Sequence, residues 1–269
     1  MDWLQLDNQV CIVTGGAKGL GAGIVQAFVA SGCRVLVLDH DRAALDAFIA
    51  QHPAAADSLL ARAVDITHEA DVAAAIGAAQ QQWGVAPSVL VNNAAITNPG
   101  KIAEIDLAAW ERQIQVNLGG YLKMARAFYQ HSAAHTPRAI VNIASISGKN
   151  AQPLSGGYSM SKAAIRMLTQ QLCVEWGPEQ IRCNTVSPGL FVTPLSQRFY
   201  QNPEDKARRE QVVPLRRIGH IDELANAVVF LASPRASYIN GAEIVVDGGF
   251  SHSLMSHIPR PYGEVKPAA

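Results

Sequence analysis

The chain has 269 residues, its 22 basic and 22 acidic side chains cancel to a formal charge of zero, and 49% of its residues are apolar. An apolar share of this size without net charge excludes intrinsic disorder, and the lack of clustered Lys and Arg argues against a nucleic-acid partner. No apolar run approaches the roughly 18 residues of a membrane span, and Met1-Asp2-Trp3-Leu4-Gln5 lacks the basic start and long apolar stretch of a secretory signal.

In chain order, short β-rich runs alternate with longer segments of helical pattern. The pattern predicts strand 10–14, helix 21–31, strand 34–39, helix 42–51, strand 60–65, helix 69–83 and strand 88–91. It continues with helix 107–132, strand 139–144, helix 158–176, strand 181–187, helix 222–231 and strand 243–246. Continuous apolar strands such as Val35-Leu36-Val37-Leu38 belong in a parallel sheet covered on both faces. Alternation kept up along the whole chain implies right-handed βαβ units and an α/β, doubly wound sheet. No Pro/Gly/Ser-rich linker or repeat marks a second domain, so residues 1–269 read as one domain with a core over about 6–250.

Two stretches break the rhythm. Residues 194–219 form a connection long enough to predict a lid or binding loop, and the Pro-containing tail 251–269 predicts no regular element. The four cysteines, Cys11, Cys33, Cys173 and Cys183, have no CxxC spacing and sit in apolar runs, which suits buried thiols in a reducing, cytoplasmic compartment. The eight histidines show no ligand spacing, so no metal is expected and they read as solvated or capping residues.

The first strand runs into Thr14-Gly15-Gly16-Ala17-Lys18-Gly19-Leu20-Gly21. Glycines there let the backbone approach a pyrophosphate at the positive end of the following helix. Such a turn also permits close strand–helix packing without a ligand; its strand–turn–helix setting favours nucleotide binding. Asp39 ends the second strand 18 positions after Gly21, where a carboxylate can accept from both adenosine ribose hydroxyls and repel a 2′-phosphate. The same residue could simply cap the helix that begins at Arg42. Lys18 and Arg42 are cations that would tolerate NADP, but Asp39 points to NAD.

Tyr158 and Lys162 lie one helical turn apart on one face. A phenol titrates near pH 10 and is a poor base at neutrality, whereas a neighbouring ammonium stabilises its phenolate. Ser145, at the end of the fifth strand, belongs to the same carboxyl edge of the sheet, where open α/β folds hold ligands.

With these motifs in order, the sequence resembles the short-chain dehydrogenase/reductase family in its single-domain branch. The matching residues are Thr14-Gly-x-x-x-Gly19-x-Gly21, Asp65, Asn92-Asn-Ala-Ala95, Asn117, Ser145, Tyr158-x-x-x-Lys162, Ser187-Pro-Gly189 with Thr193, and Asn240-Gly-x-x-x-x-Val-Asp247-Gly-Gly249. The resemblance implies a Rossmann-like, seven-stranded parallel sheet with helices on both faces. It implies Tyr158 as general acid/base, Lys162 as the ribose contact that lowers the tyrosine pKa, Ser145 as the donor to the substrate oxygen, and Asn117 as the anchor of a water relay to the lysine. Cofactor contacts are implied at Gly15, Lys18, Gly19, Leu20, Gly21, Asp39, Asp65, Ile66, Asn92, Ala94, Pro188, Gly189 and Thr193, besides Tyr158 and Lys162. Ala95 departs from the family's usual glycine and is expected to tighten the adenosine turn.

Family architecture places substrate against Ser145, Ser147, Gln152, Tyr158 and Leu190, beneath 194–219. That mixture of hydroxyl, amide and modest apolar surface suits a sugar, polyol or compact cyclic or aromatic secondary alcohol. Competing readings are an NADPH-dependent 3-oxoacyl thioester reductase, kept open by Arg208 and Arg209, and a non-catalytic nucleotide-sensing protein, which would need none of the catalytic set. The resemblance also implies a homotetramer formed through helices 107–132 and 158–176 and the last strand.

Overall fold

A computed structural model describes residues 3–258. Seven strands form one parallel sheet in the order β3-β2-β1-β4-β5-β6-β7, with β1 Val10–Thr14, β2 Arg34–Asp39, β3 Leu59–Ala63, β4 Val89–Asn92, β5 Arg138–Ile143, β6 Ile181–Pro188 and β7 Glu243–Val246. The helices are α1 Gly19–Ala30, α2 Arg42–Ala50, α3 Glu69–Trp83, α4 Leu107–Ile114, α5 Gly120–His131, α6 Tyr158–Trp176, α7 Pro203–Val212 and α8 Ile221–Ala232. The Rossmann-like, doubly wound expectation therefore holds.

Each central strand feeds two apolar layers. Cys11, Val13, Val35 and Val37 pack with Ile24, Phe28, Leu224 and Val228 of α1 and α8. Their neighbours Ile12, Leu36, Leu38 and Leu90 face Ile76, Met124, Phe128 and Ile165 of α3, α5 and α6. Both faces are dry, which is why these strands read as continuous apolar runs rather than alternating ones. Each fully buried Leu, Ile or Phe contributes about 1.5–3 kcal/mol. Helices α1 and α8 approach closely at Gly23, where a Cβ would drive into Ile221.

Three local expectations change. The predicted helix 107–132 is two helices joined by a π-helical turn, Gln115–Gly119, which contains Asn117. The 194–219 connection carries α7, a charged helix with no buried residue, started by the Asn202 side chain accepting from the Glu204 amide. The cap of α2 is Asp41, which accepts from the Ala44 amide, and not Asp39. His220 does cap a helix, in a capping box with Glu223. The tail begins with two short 3-10 turns, Phe250–His252 and Leu254–His257, and its remainder, 259–269, lies outside the described residues.

Candidate active site

The dinucleotide end is built where β1 meets its neighbours β2 and β4, the point at which strand order reverses and open sheets hold ligands. Gly15 and Gly19 have φ of 61° and 54°, a left-handed backbone that only glycine adopts without strain. A Cβ on Gly21 would enter the Gly15 carbonyl oxygen, so this position closes the loop over α1. Lys18 is the N-cap of α1, yet its side chain caps nothing and instead pairs with Asp41 at 2.6 Å. The first amides of α1 thus have no side-chain acceptor from the cap, as an incoming pyrophosphate requires. Leu20 packs its side chain onto the core.

Asp39 is fixed by two backbone donors, Ala17 N at 3.2 Å and Asp41 N at 3.1 Å. Asp65 lies beyond the end of β3, where its Oδ1 accepts from the Thr67 amide (2.9 Å) and hydroxyl (2.7 Å) and its Oδ2 from Arg112 (2.6 Å). Burial pushes this carboxyl up, but the Thr67 and Arg112 contacts more than offset it and hold the pKa at about 2.

The β4 loop is pinned by Thr14, whose hydroxyl accepts from Asn93 N (2.9 Å) and Ala94 N (3.1 Å). Asn93, which sequence reasoning did not single out, donates to the carbonyls of Thr14 and Gly15, both at 3.0 Å, and locks this loop to the glycine turn. The neighbouring Asn92 takes a different direction. Its side chain is fully buried and points into the sheet, donating to Asn142 at 2.9 Å, so only its backbone is available to a ligand. Ile66 likewise buries its side chain, against Gly120. Pro188 ends β6, Gly189 sits so close to Asp247 that a side chain would collide, and Thr193 with Pro194 lies against Gly19. The turn that opens the 194–219 segment therefore reaches the glycine loop.

At the same edge, Ser145 ends the run from β5 and caps a short 3-10 turn, its oxygen accepting from Ser147 N at 3.1 Å. That turn packs on α6 at Gly148, whose absent Cβ would meet the Lys162 backbone. Tyr158 is the first residue of α6. Desolvation pushes its phenol up, and a hydrogen bond with Ser145 pulls the other way. Lys162 is 1% exposed; its Nζ donates to the Ile143 carbonyl (2.7 Å) and to the Tyr121 hydroxyl (3.4 Å) and lies 5.6 Å from the Tyr158 ring centroid. Burial lowers its pKa to about 7.

The Asn117 side chain is held by three hydrogen bonds. Its Oδ1 accepts from Ile96 N (2.9 Å), and its Nδ2 donates to Ile96 O (3.0 Å) and Ser161 Oγ (3.2 Å). Ser161 in turn donates to the Tyr158 carbonyl at 2.7 Å. Gln113, also missed from sequence, is fully buried and accepts from Gly157 N at 2.9 Å while donating to Ile96 O at 3.2 Å. Together these amides tie the first turn of α6 to the loop after β4. Nothing in a linear pattern flags Gln113, except that it precedes Asn117 by one helical turn.

On the substrate side, Ser147 donates to Gln152 at 2.9 Å. Leu190 lines a cavity of about 280 Å³ with Phe191, Val213, Arg217 and Asp247. This cavity contains none of Ser145, Tyr158 and Lys162; it is a seam between the 194–219 segment and the sheet edge. Among the described residues no His, Cys, Asp and Glu cluster could hold a metal, and no helix is long and apolar enough to cross a membrane.

Comparison with known proteins identifies the family. Residues 15–251 match a family model described as enoyl-(acyl carrier protein) reductase. Galactitol 2-dehydrogenase (L-tagatose-forming) of Cereibacter sphaeroides is 38% identical, over 92% of this chain and 96% of the relative. D-threitol dehydrogenase of Mycolicibacterium smegmatis is 33% identical over 92% and 94%. Among solved structures, a gluconate 5-dehydrogenase from Burkholderia cenocepacia, in complex with NADP and tartrate, superposes with a TM-score of 0.85 at 27% identity, covering 93% of this chain and 98% of that one. The seven-stranded fold, relatives named as alcohol dehydrogenases, and the family match lead to one conclusion: this chain is an oxidoreductase acting on CH–OH groups and belongs to the short-chain dehydrogenase/reductase family.

Proposed function

We propose that the chain is a single-domain, NAD-preferring dehydrogenase of a secondary alcohol, with a polyol, sugar or compact cyclic or aromatic alcohol as substrate. The observation that carries this reading is the meeting of Ser145, Tyr158 and buried Lys162 at the carboxyl edge of the sheet, next to a glycine loop with a free helix terminus. A nicotinamide cofactor, when bound, supplies the hydride acceptor or donor. The chain's own residues handle the proton. Tyr158 takes it from the alcohol oxygen, Ser145 donates to that oxygen as charge develops, and the Lys162 ammonium stabilises the phenolate. Reduction of a ketone runs the same path backwards, with Tyr158 as acid.

Preference for NAD is supported by the backbone-anchored Asp39 carboxylate, which would repel a 2′-phosphate. Both nearby cations are already engaged, Lys18 with Asp41 and Arg42 with Asp46. Against a thioester reductase, Arg209 is stacked over Phe199 (4.6 Å) and Tyr200 (5.2 Å) rather than displayed for a carrier phosphate. The polyol preference draws on the galactitol and threitol dehydrogenases. We also place the protein in the cytoplasm as a homotetramer; Met160, Met167 and Val174, seven residues apart, expose one apolar stripe along α6 that a second copy would cover.

Purified protein mixed with NAD or NADP and a panel of polyols, sugars and cyclic alcohols, followed by reduced-cofactor absorbance, tests the reading. Turnover with NAD that disappears in Tyr158→Phe is the expected result. Turnover only with NADP sinks the Asp39 assignment, and turnover that survives Tyr158→Phe sinks the mechanism. Cofactor binding without turnover, in either direction, favours a nucleotide sensor.

A further inference from the structure

We propose that Tyr121 is a positioning residue for Lys162: its buried hydroxyl, anchored on the Ile143 carbonyl, holds the lysine ammonium at the head of α6 beside Tyr158. This rests on the reading of Tyr158 and Lys162 as the catalytic pair.

Tyr121 is the second residue of α5, directly after the π turn Gln115–Gly119. The extra residue of a π turn rotates all later side chains by about 100° around the helix axis. Beyond it, Tyr121 is completely buried among the strands and α6. A buried phenol needs a partner for its hydroxyl. Here the O–H donates to the Ile143 carbonyl at 3.2 Å, while the same oxygen accepts from Lys162 Nζ at 3.4 Å. The lysine also donates to that Ile143 carbonyl at 2.7 Å, so hydroxyl, carbonyl and ammonium close a three-membered hydrogen-bond ring. The Tyr121 ring adds its face, with Nζ 5.3 Å from the centroid.

The groups facing Nζ are few. From its own helix comes Tyr158, from α5 the Tyr121 hydroxyl and ring, and from β5 the Ile143 carbonyl. Among the described residues no carboxylate pairs with it, and burial alone shifts its titration. The charged form therefore depends on neutral oxygens, of which Tyr121 provides one. Without that oxygen the ammonium has only the Ile143 carbonyl, loses its proton more readily, and supports the Tyr158 phenolate less well.

The test is the pH dependence of kcat/KM for alcohol oxidation in the wild type, Tyr121→Phe and Lys162→Met. Removing the hydroxyl is expected to move the acid limb to higher pH by about one unit. That lowers kcat/KM roughly tenfold at pH values below the limb and leaves the plateau near the wild-type level. A hydroxyl that only fills space would lower the plateau, or change unfolding in urea, without moving the limb; that outcome overturns the proposal. Should Tyr121→Phe not fold, Tyr121→Met removes the same oxygen with a flexible side chain and must move the limb in the same direction. Wild-type turnover in Lys162→Met would instead refute the catalytic pair itself.

Discussion

Gln113 offers the most direct check on how the catalytic helix is held. Its amide bridges Gly157 N, immediately before Tyr158, and the Ile96 carbonyl, and it is fully buried. Gln113→Leu keeps the approximate volume and removes both bonds. The Ile96 carbonyl keeps a donor, because Asn117 Nδ2 lies 3.0 Å away. Gly157 N–H does not: its Cα faces Gln113 and the Trp110 indole, and among the described residues Gln113 is its acceptor. One orphaned buried donor costs about 1–3 kcal/mol, and the leucine variant should lose that much in urea unfolding at neutral pH. Gln113→Glu separates the two bonds. It retains the acceptor for Gly157 but sets a carboxylate oxygen against the Ile96 carbonyl, so its loss should shrink as the pH falls and the carboxyl gains a proton. A Gln113→Leu protein within about 0.5 kcal/mol of the wild type, with unaltered kcat, would refute the idea that this belt holds the start of α6.

Two further expectations concern the cofactor end. Asp39→Ser removes the carboxylate held by Ala17 N and Asp41 N, and the ratio of kcat/KM with NADP to that with NAD should rise roughly tenfold or more, about 1.4 kcal/mol; an unchanged ratio would show that another group sets the preference. Asp65 is held at about 2, below its ordinary 3.8. A depressed carboxyl stabilises the fold above its unfolded pKa and loses that contribution as pH falls through the folded one, here between about 4 and 2. Arg112→Gln should flatten acid destabilisation in that window by at most about 1 kcal/mol, since the pair is partly solvent-exposed; identical urea midpoints relative to wild type from pH 5 to pH 2 would contradict it.

Much of this molecule can be read along the chain, for reasons that differ from element to element. Val35-Leu36-Val37-Leu38 announces a doubly covered strand because both of its faces are apolar. The same uniformity hides the direction of Asn92, since a strand buried on both sides does not reveal which face a given residue takes. The π turn is hidden because an extra residue leaves composition unchanged and only slips the phase of the apolar stripe by about 100°, which still reads as one continuous helix. Helix α7 escapes the pattern because it has no apolar face to register; its marks are Asn202-Pro203, the acidic pair Glu204 and Asp205, and Arg209 in the last turn. Gln113 and Asn93 act on backbone groups distant in sequence, at Gly157 and at Thr14 and Gly15, and such partners exist only once the chain has folded.

Helix α7 has a wider consequence. None of its side chains enters the core, so its residues are not constrained by packing against the sheet. Its anchorage is local, through the Asn202 cap and the stacking of Arg209 on Phe199 and Tyr200. Exchange of 203–212 for the corresponding segment of another dehydrogenase would leave the seven strands and their packing helices untouched. Sequence change in this segment can thus accumulate without disturbing the packing that holds the sheet, so the two parts of the chain are free to vary separately.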